Sequence, residues 1–283
     1  MIPRQSTKQV TVQKLRQRHF HNEQDALAVE EPLEIRLVTG EVGRRKKESI
    51  SVTMRTPGHD LELAVGFLFS EGIIQSVGDL TELSPVQLAE EAKPDCNIVD
   101  VHLRPGLQLD TARLLRHFYA TSSCGVCGKA SLEALRVRGC SPLPQDRLLI
   151  QAERVLELPE KLQRGQSVFE RTGGLHAAAL FDARGNLVCL REDVGRHNAV
   201  DKVIGNQLLA GKVALSDFVL MVSGRTSFEI VQKALIAGVP IVAAVSAPSS
   251  LAVSLATEFG MTLLGFVRGE DFNIYTGTER ILK

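Results

Sequence analysis

The sequence predicts an α/β protein in which a larger α/β sandwich with a mixed sheet follows a smaller α+β unit. Three observations predict it. Phe218–Val222, Ile241–Val245 and Thr262–Val267 are continuous apolar runs, which marks parallel strands buried on both faces. Helix-period segments join them, Phe228–Ala237 stopped by Gly238 and Leu251–Phe259 stopped by Gly260. Upstream, Glu31–Arg55 and Val99–Leu103 alternate apolar with polar residues, as half-buried antiparallel strands do.

Each element can be justified in turn. The first 24 residues carry Arg4, Lys8, Lys14, Arg16 and Arg18 but no apolar segment, so they read as a mobile polar tail rather than a secretory signal. Leu33, Ile35 and Leu37, then Ile50, Val52 and Met54, predict a hairpin whose tip, residues 40–47, is basic. Pro57 and Gly58 turn the chain. Asp60 is placed to cap a helix through Ser70, with Leu61, Ala64, Val65 and Leu68 as its apolar stripe and Gly72 as its stop. Residues 76–95 read as acidic and irregular. A strand holds Val99, Val101 and Leu103, and Pro105 and Gly106 end it. Helices are expected over 111–119 and 130–137. Pro142, Pro144 and Pro159 suggest that residues 141–170 wind without one long element. Strands His176–Phe181 and Asn186–Arg191, joined by residues 182–185, form the next hairpin, and a helix follows from Gly195 to Leu209. The predicted organisation is a tail over 1–24, a smaller α+β domain over 25–123 and the α/β sandwich over 124–283.

Bulk properties exclude some functions. The chain has 283 residues, 33 basic and 33 acidic, so no global field attracts nucleic acid or an anionic membrane. No apolar run is long enough for a membrane-spanning helix. The five cysteines, Cys96, Cys124, Cys127, Cys140 and Cys189, are odd in number, which argues against a secreted disulfide scaffold and fits a reducing cytoplasm.

In such a sheet, ligands bind beyond the carboxyl ends of the parallel strands. Those ends here are Ser223, Gly224 and Arg225 with Thr226 and Ser227; residues 246–250; and Arg268, Gly269, Glu270 and Asp271. Two of the loops run into helix N-termini, where free N–H groups and the dipole favour anions. Arg225 and Arg268 add guanidinium forks, and Glu270 and Asp271 could accept from a guanine amino group. Together these parts suggest a nucleotide site. No loop matches the GxxxxGK[ST] or GxGxxG phosphate patterns, which argues against a P-loop NTPase or a Rossmann oxidoreductase. Residues 191–202 crowd Asp193, Arg196, His197 and Asn198 at a strand-to-helix junction. A helix cap with a surface ion pair would explain them; their density at the sheet mouth favours a site.

Cys124 and Cys127, spaced CGVC in a glycine-rich loop, allow several chemistries. Zinc lacks a second CxxC. Dithiol redox chemistry stays open, although the expected preceding strand is replaced by a predicted helix. A sulfur carrier needs an accessible thiolate, and Lys129 with a following helix N-terminus would lower the thiol pKa. Spacing leaves redox and carrier roles side by side. The hairpin–helix–strand–helix order also resembles cytidine deaminase-like proteins. Deamination needs HxE and PCxxC, however, and His197 is followed by Asn198 and Ala199, with no cysteine in the next helix start.

Six motifs in order make the chain resemble the FdhD family: TPGHDLELA at 56–64, SCGVCGK at 123–129, TGGLHA at 172–177, EDVGRHNAVDK at 192–202, SGR at 223–225 with SFE at 227–229, and SAPSSLAV at 246–253. The resemblance implies a sulfurtransferase needed for formate dehydrogenase activity and a cytidine deaminase-like larger domain. It implies sulfur taken from a cysteine desulfurase as a persulfide on Cys124, with Cys127 beside it. The acceptor it implies is a molybdenum or tungsten centre held by two molybdopterin guanine dinucleotides. The matching cofactor stretch is Phe266, Val267, Arg268, Gly269, Glu270 and Asp271; from their place at the sheet edge, Ser223, Gly224, Arg225 and His197 are expected as further contacts. A homodimer is expected, with no tightly held metal of its own and no nucleic-acid or membrane partner. A cofactor-insertion chaperone without covalent sulfur transfer is the alternative.

Overall fold

The computed structural model describes residues 6–41, 43–85, 97–107, 141–144 and 148–283. Its main sheet has six strands in the order β13-β12-β11-β10-β8-β9. These are β8 (His176–Phe181), β9 (Leu187–Asp193), β10 (Val219–Val222), β11 (Ile241–Ala244), β12 (Thr262–Arg268) and β13 (Asp271–Thr276). The three predicted parallel strands pair as expected, β10 with β11 and β11 with β12. Antiparallel pairs flank them on both sides, β8 and β9 on one and β13 on the other. Of these the sequence predicted the hairpin of β8 and β9 alone. The other arises because Gly269, with φ 58°, opens a two-residue hairpin turn that sends the chain straight back along β12.

Alternation sorts the sheet residues onto two faces. Ala177, Ala179, Phe181, Val219, Met221, Ile241 and Ala243 face helix α2 (Ala152–Gly165). Ala178, Leu180, Leu220, Val222, Val242 and Ala244 face the layer of α4 (Arg196–Leu209), α5 (Phe228–Ile236) and α6 (Ser250–Glu258). That second core continues through α1 (Asp60–Ser70) into a four-stranded sheet, β4-β3-β6-β5. Its strands are β3 (Glu31–Thr39), β4 (Lys46–Arg55), β5 (Leu80–Pro85) and β6 (Ile98–Leu103).

Four expectations are corrected. The stretch read as a polar tail is a two-stranded hairpin, β1 (Thr7–Arg16) with β2 (His19–Ala28), in full antiparallel register. Charges that hid it pair across the strands, Arg16 with Glu23 at 3.1 Å and Lys14 with Glu23 and Asp25 at 3.7 Å. Its turn residues Gln17 and Arg18 both have positive φ, the geometry a two-residue turn needs without the glycine that would have advertised it. Residues 77–85 are a 3-10 turn and β5 rather than irregular chain. Residues 152–165 form α2 despite Pro159. An interior proline costs about 3 kcal/mol, but Val155, Leu158 and Leu162 are fully buried along one stripe, worth roughly 1.5–3 kcal/mol each. Asp60 does not cap α1: His59 holds the cap position with φ 60°, and the Asp60 carboxylate instead takes two 2.9 Å bonds from buried Arg55. The helices expected over 111–119 and 130–137, and the boundary expected at residue 124, lie outside the described residues. Among the described residues no helix is long and apolar enough to cross a membrane.

Helices α1 and α4 touch backbone to backbone. A Cβ on Gly66 would lie 1.8 Å from the Asp201 carbonyl oxygen, and one on Gly205 would lie 1.8 Å from that of Glu62. No rotamer relieves a clash with backbone, so the helices must separate. Gly66→Ala and Gly205→Ala are each expected to destabilise the fold by about 3 kcal/mol or more, read as a lower urea midpoint. A midpoint unchanged from the wild type would refute the close crossing.

Candidate functional site

The carboxyl edge of the main sheet is built on buried charge. Asp193, which ends β9, and Lys202 on α4 pair at 2.7 Å with side chains 0% and 1% exposed. Thr56 completes the knot. Its N–H donates to Asp193 at 3.2 Å, its carbonyl accepts from Lys202 at 2.9 Å, and its hydroxyl accepts from the Val194 N–H at 3.2 Å. The other Asp193 oxygen accepts from the Gly195 N–H at 2.8 Å and the Asn198 amide at 3.0 Å. The polar motif at 192–202 therefore serves mostly to fix the start of α4. A second buried pair, Asp201 with Lys233 at 2.8 Å, joins α4 to α5, and Ser70 donates to the same carboxylate. Burial pushes the Asp201 carboxyl up, against the pull of Lys233 and Ser70. At Glu62 burial likewise pushes up, but bonds from Arg191, His59 and Asn206 outweigh it and hold the carboxyl at about 2.

Two side chains of that motif remain uncommitted to the knot, Arg196 and His197. His197 Nε2 lies 3.1 Å from the Ser227 hydroxyl and 3.8 Å from the Glu229 carboxylate. Burial, then the positive charges of Arg196 and Lys233, bring its pKa down to about 4, with Glu229 opposing. His176, the first residue of β8, sits beside Gly224, where a Cβ would be 3.3 Å from its Nδ1. Burial and Arg196 lower the His176 pKa as well, with Asp193 opposing. Arg196 belongs to the cluster that the sequence pointed to, whereas His176 and Glu229 were not singled out as site residues. TGGLHA and SFE, already present as motifs, were the available signals.

The predicted edge loops form one floor. Ser223 anchors it to β8, its hydroxyl accepting from the Ala177 N–H at 2.8 Å. Thr226 bonds to Ala247 and Ser249 through the backbone, and the Phe266 N–H donates to the Ser246 carbonyl at 3.3 Å. Gly265 is required there, because a Cβ would meet Tyr275 at 2.9 Å and Pro248 at 3.0 Å. Phe266 has φ 55° at a bulge in β12, and this turns its ring outward from the run of the strand. Arg268 lies over that ring at 5.5 Å. The two line an open groove of about 500 Å³ with Asp271, Phe272 and Asn273. An aromatic face, a guanidinium and two side chains able to accept hydrogen bonds suit a flat heterocycle bearing an anion. Val267 is fully buried in the core, so only its backbone is available to a ligand. Arg225, Gly269 and Glu270 are exposed at the rim.

Cys124 and Cys127 lie outside the described residues. Cys189 is buried on β9, and burial pushes its thiol up, which unsuits it for nucleophilic work.

Known proteins resemble this chain closely. A family model described as the FdhD/NarQ family matches residues 28–282. A protein from Streptomyces avermitilis named sulfur carrier protein FdhD is 51% identical over 264 residues, covering 91% of this chain and 89% of that one. A protein of the same name from Sulfurisphaera tokodaii is 45% identical over 275 residues, covering 97% and 99%. A crystal structure described as a candidate formate dehydrogenase accessory protein from Desulfotalea psychrophila superposes with a TM-score of 0.74 at 25% identity, covering 98% of this chain and all of that one.

The lowered His197 pKa has a measurable consequence. The unfolded chain takes up this proton first, near pH 6.5. The stability that the neutral ring carries is therefore complete above that pH and declines as the pH falls towards about 4. An NMR titration should find the His197 ring neutral until about pH 4, and Glu229→Gln should lower that midpoint by removing a negative neighbour. A midpoint near the unperturbed value would contradict the described burial.

Proposed function

Because the chain belongs to the FdhD/NarQ family, we propose that it is a sulfur carrier for formate dehydrogenase maturation, working through a persulfide on Cys124. The observation that carries this reading is near full-length relatedness to proteins named as sulfur carriers, in a chain that holds the CGVC loop. The Phe266–Arg268 groove supports the other half of the reading, a guanine-dinucleotide molybdenum cofactor as the acceptor substrate.

The first step is an exchange at sulfur. The Cys124 thiolate attacks the terminal sulfur of a persulfide on a cysteine desulfurase. Its S–S bond breaks, the desulfurase cysteine leaves as a thiolate, and Cys124 carries the persulfide with no net redox change. Release as sulfide requires two electrons. Cys127 supplies them: its thiolate attacks the inner Cys124 sulfur, a Cys124–Cys127 disulfide forms, and hydrosulfide departs towards the metal. A thiol reductant then restores the pair. The chain's own task at the sheet edge is to seat the acceptor. Phe266 offers a stacking face, Arg268 and Arg225 meet phosphate charge, and Asp271 accepts from the guanine edge. Formate dehydrogenase is the partner that receives the sulfurated cofactor, and a homodimer is the proposed assembly.

Intact-protein mass spectrometry after incubation with a desulfurase and cysteine should show one added sulfur on the wild type and none on Cys124→Ala. Equal labelling of both would refute the carrier step. Unlabelled wild type that still bound guanine nucleotide would favour a cofactor-insertion chaperone. Independently, GDP binding should weaken about tenfold in Arg268→Ala, the loss expected for one charge-assisted contact. Absence of GDP binding to the wild type would remove the acceptor site.

A further inference from the structure

We propose that Arg196, His176 and His197 form a separate oxyanion subsite, at the mouth of β8 and β10, that takes up a proton when a phosphate-class anion binds. Its natural ligand rests on the nucleotide reading above; the subsite itself is argued without it.

The geometry comes first. His176, at the start of β8, lies beside Gly224, and His197, in the first turn of α4, meets the Ser227 hydroxyl at 3.1 Å, so one loop, residues 223–227, touches both rings, with Arg196 next to His197 in the chain. Gly195 holds the cap position of α4 with no side-chain capping bond, so the first-turn N–H groups have no cap of their own. Arg196 is the outlier of the motif. Every other charge at 192–202 is matched, Asp193 with Lys202, Asp201 with Lys233, and Glu192 by the N–H groups of Val168 and Phe169. The buried Nε of Arg196 has no hydrogen-bond partner among the described residues. In the adjoining loop Thr226 is 1% exposed, and its hydroxyl is unpartnered too. Buried polar atoms are normally satisfied. Two orphans at one edge mark a place where a further acceptor belongs.

The chemistry of the neighbours names the class. The charges facing the two rings are Arg196 from α4, Asp193 from the end of β9, and Glu229 and Lys233 from α5. Asp193 and Lys233 already have buried partners, and Glu229 is 59% exposed at the rim. The field inside is therefore positive, and it keeps both imidazoles neutral while the site is empty. An incoming dianion reverses that balance. It meets the Arg196 fork, stabilises the imidazolium forms and draws a proton onto a ring. A neutral polar ligand would do neither. Gly224 leaves the space beside His176 that such a group needs.

The full-length protein is titrated with inorganic pyrophosphate by calorimetry near neutral pH, in two buffers of different ionisation enthalpy. Binding with net proton uptake is expected. Arg196→Gln should weaken it about tenfold or more, and His176→Asn should bind with reduced uptake while its thermal unfolding stays close to that of the wild type. Absence of wild-type binding, binding undiminished in Arg196→Gln, or binding without proton uptake would each overturn the proposal. Should Arg196→Gln fail to fold, the His176→Asn uptake decides. Arg268→Ala serves as the control: it should weaken GDP and leave pyrophosphate unchanged. Pyrophosphate binding without any guanosine binding would defeat the nucleotide reading and leave this subsite standing.

Discussion

The Asp193–Lys202 pair is the interaction on which the described architecture turns. Neither charge is accessible to water, and removing one partner of such a pair leaves the other stranded at a cost of about 3–5 kcal/mol. What the pair secures is position more than net stability. Through Thr56 it pins the turn before α1 to the junction of β9 and α4. One core then runs from the four-stranded sheet through α1 to the six-stranded sheet. The glycines at 66 and 205 belong to the same constraint, because the two helices can only meet at backbone distance if neither carries a side chain at the crossing.

That arrangement also decides which charges are left for a ligand. Asp193, Lys202, Asp201 and Lys233 are consumed in pairs, and Glu62 is held as an anion by Arg191 and Asn206. Residues that look like a catalytic cluster in sequence are thus mostly internal scaffold. The remainder, Arg196 with two histidines of lowered pKa, makes up the proposed anion subsite. Loops 223–227, 246–250 and 266–271 are cross-bonded through their backbones, so these loops form one continuous edge.

How much of this was legible follows from what leaves a trace in local pattern. The parallel core was readable because strands buried on both faces need unbroken apolar runs, as at Val219–Val222 and Ile241–Ala244. The β3–β4 hairpin was readable because one face is wet and the sequence alternates. The β1–β2 hairpin was not, since its register rests on cross-strand charges and a turn of Gln17 and Arg18, and polarity alone looks like a tail. Helix α2 was obscured by Pro159, because the three residues that outweigh it do so only once the sheet is there to receive them. At the site, the loops after the strands were foreseeable from topology. The roles inside 192–202 were not, because which of Asp193, Asp201 and His197 faces a partner depends on Thr56 and Lys233, far away in sequence.

Under the proposed function, the same edge would let sulfur carriage and cofactor binding share one chain. A persulfide and a dinucleotide are both anions at neutral pH, and bringing them together in a neutral protein is opposed unless the meeting place is locally positive. With net charge zero, the chain can supply that field only by arrangement. It buries Asp193 and Asp201 against Lys202 and Lys233 within the scaffold. It then leaves Arg196, Arg225, Arg268 and the uncapped N-terminus of α4 at the carboxyl edge, where they contribute positive potential. The described thiol, Cys189, is withdrawn from this field by burial and kept protonated. Among the described residues Cys189 is the one cysteine, so the nucleophilic sulfur chemistry of the proposed function has to fall to another thiol, which the proposal assigns to Cys124.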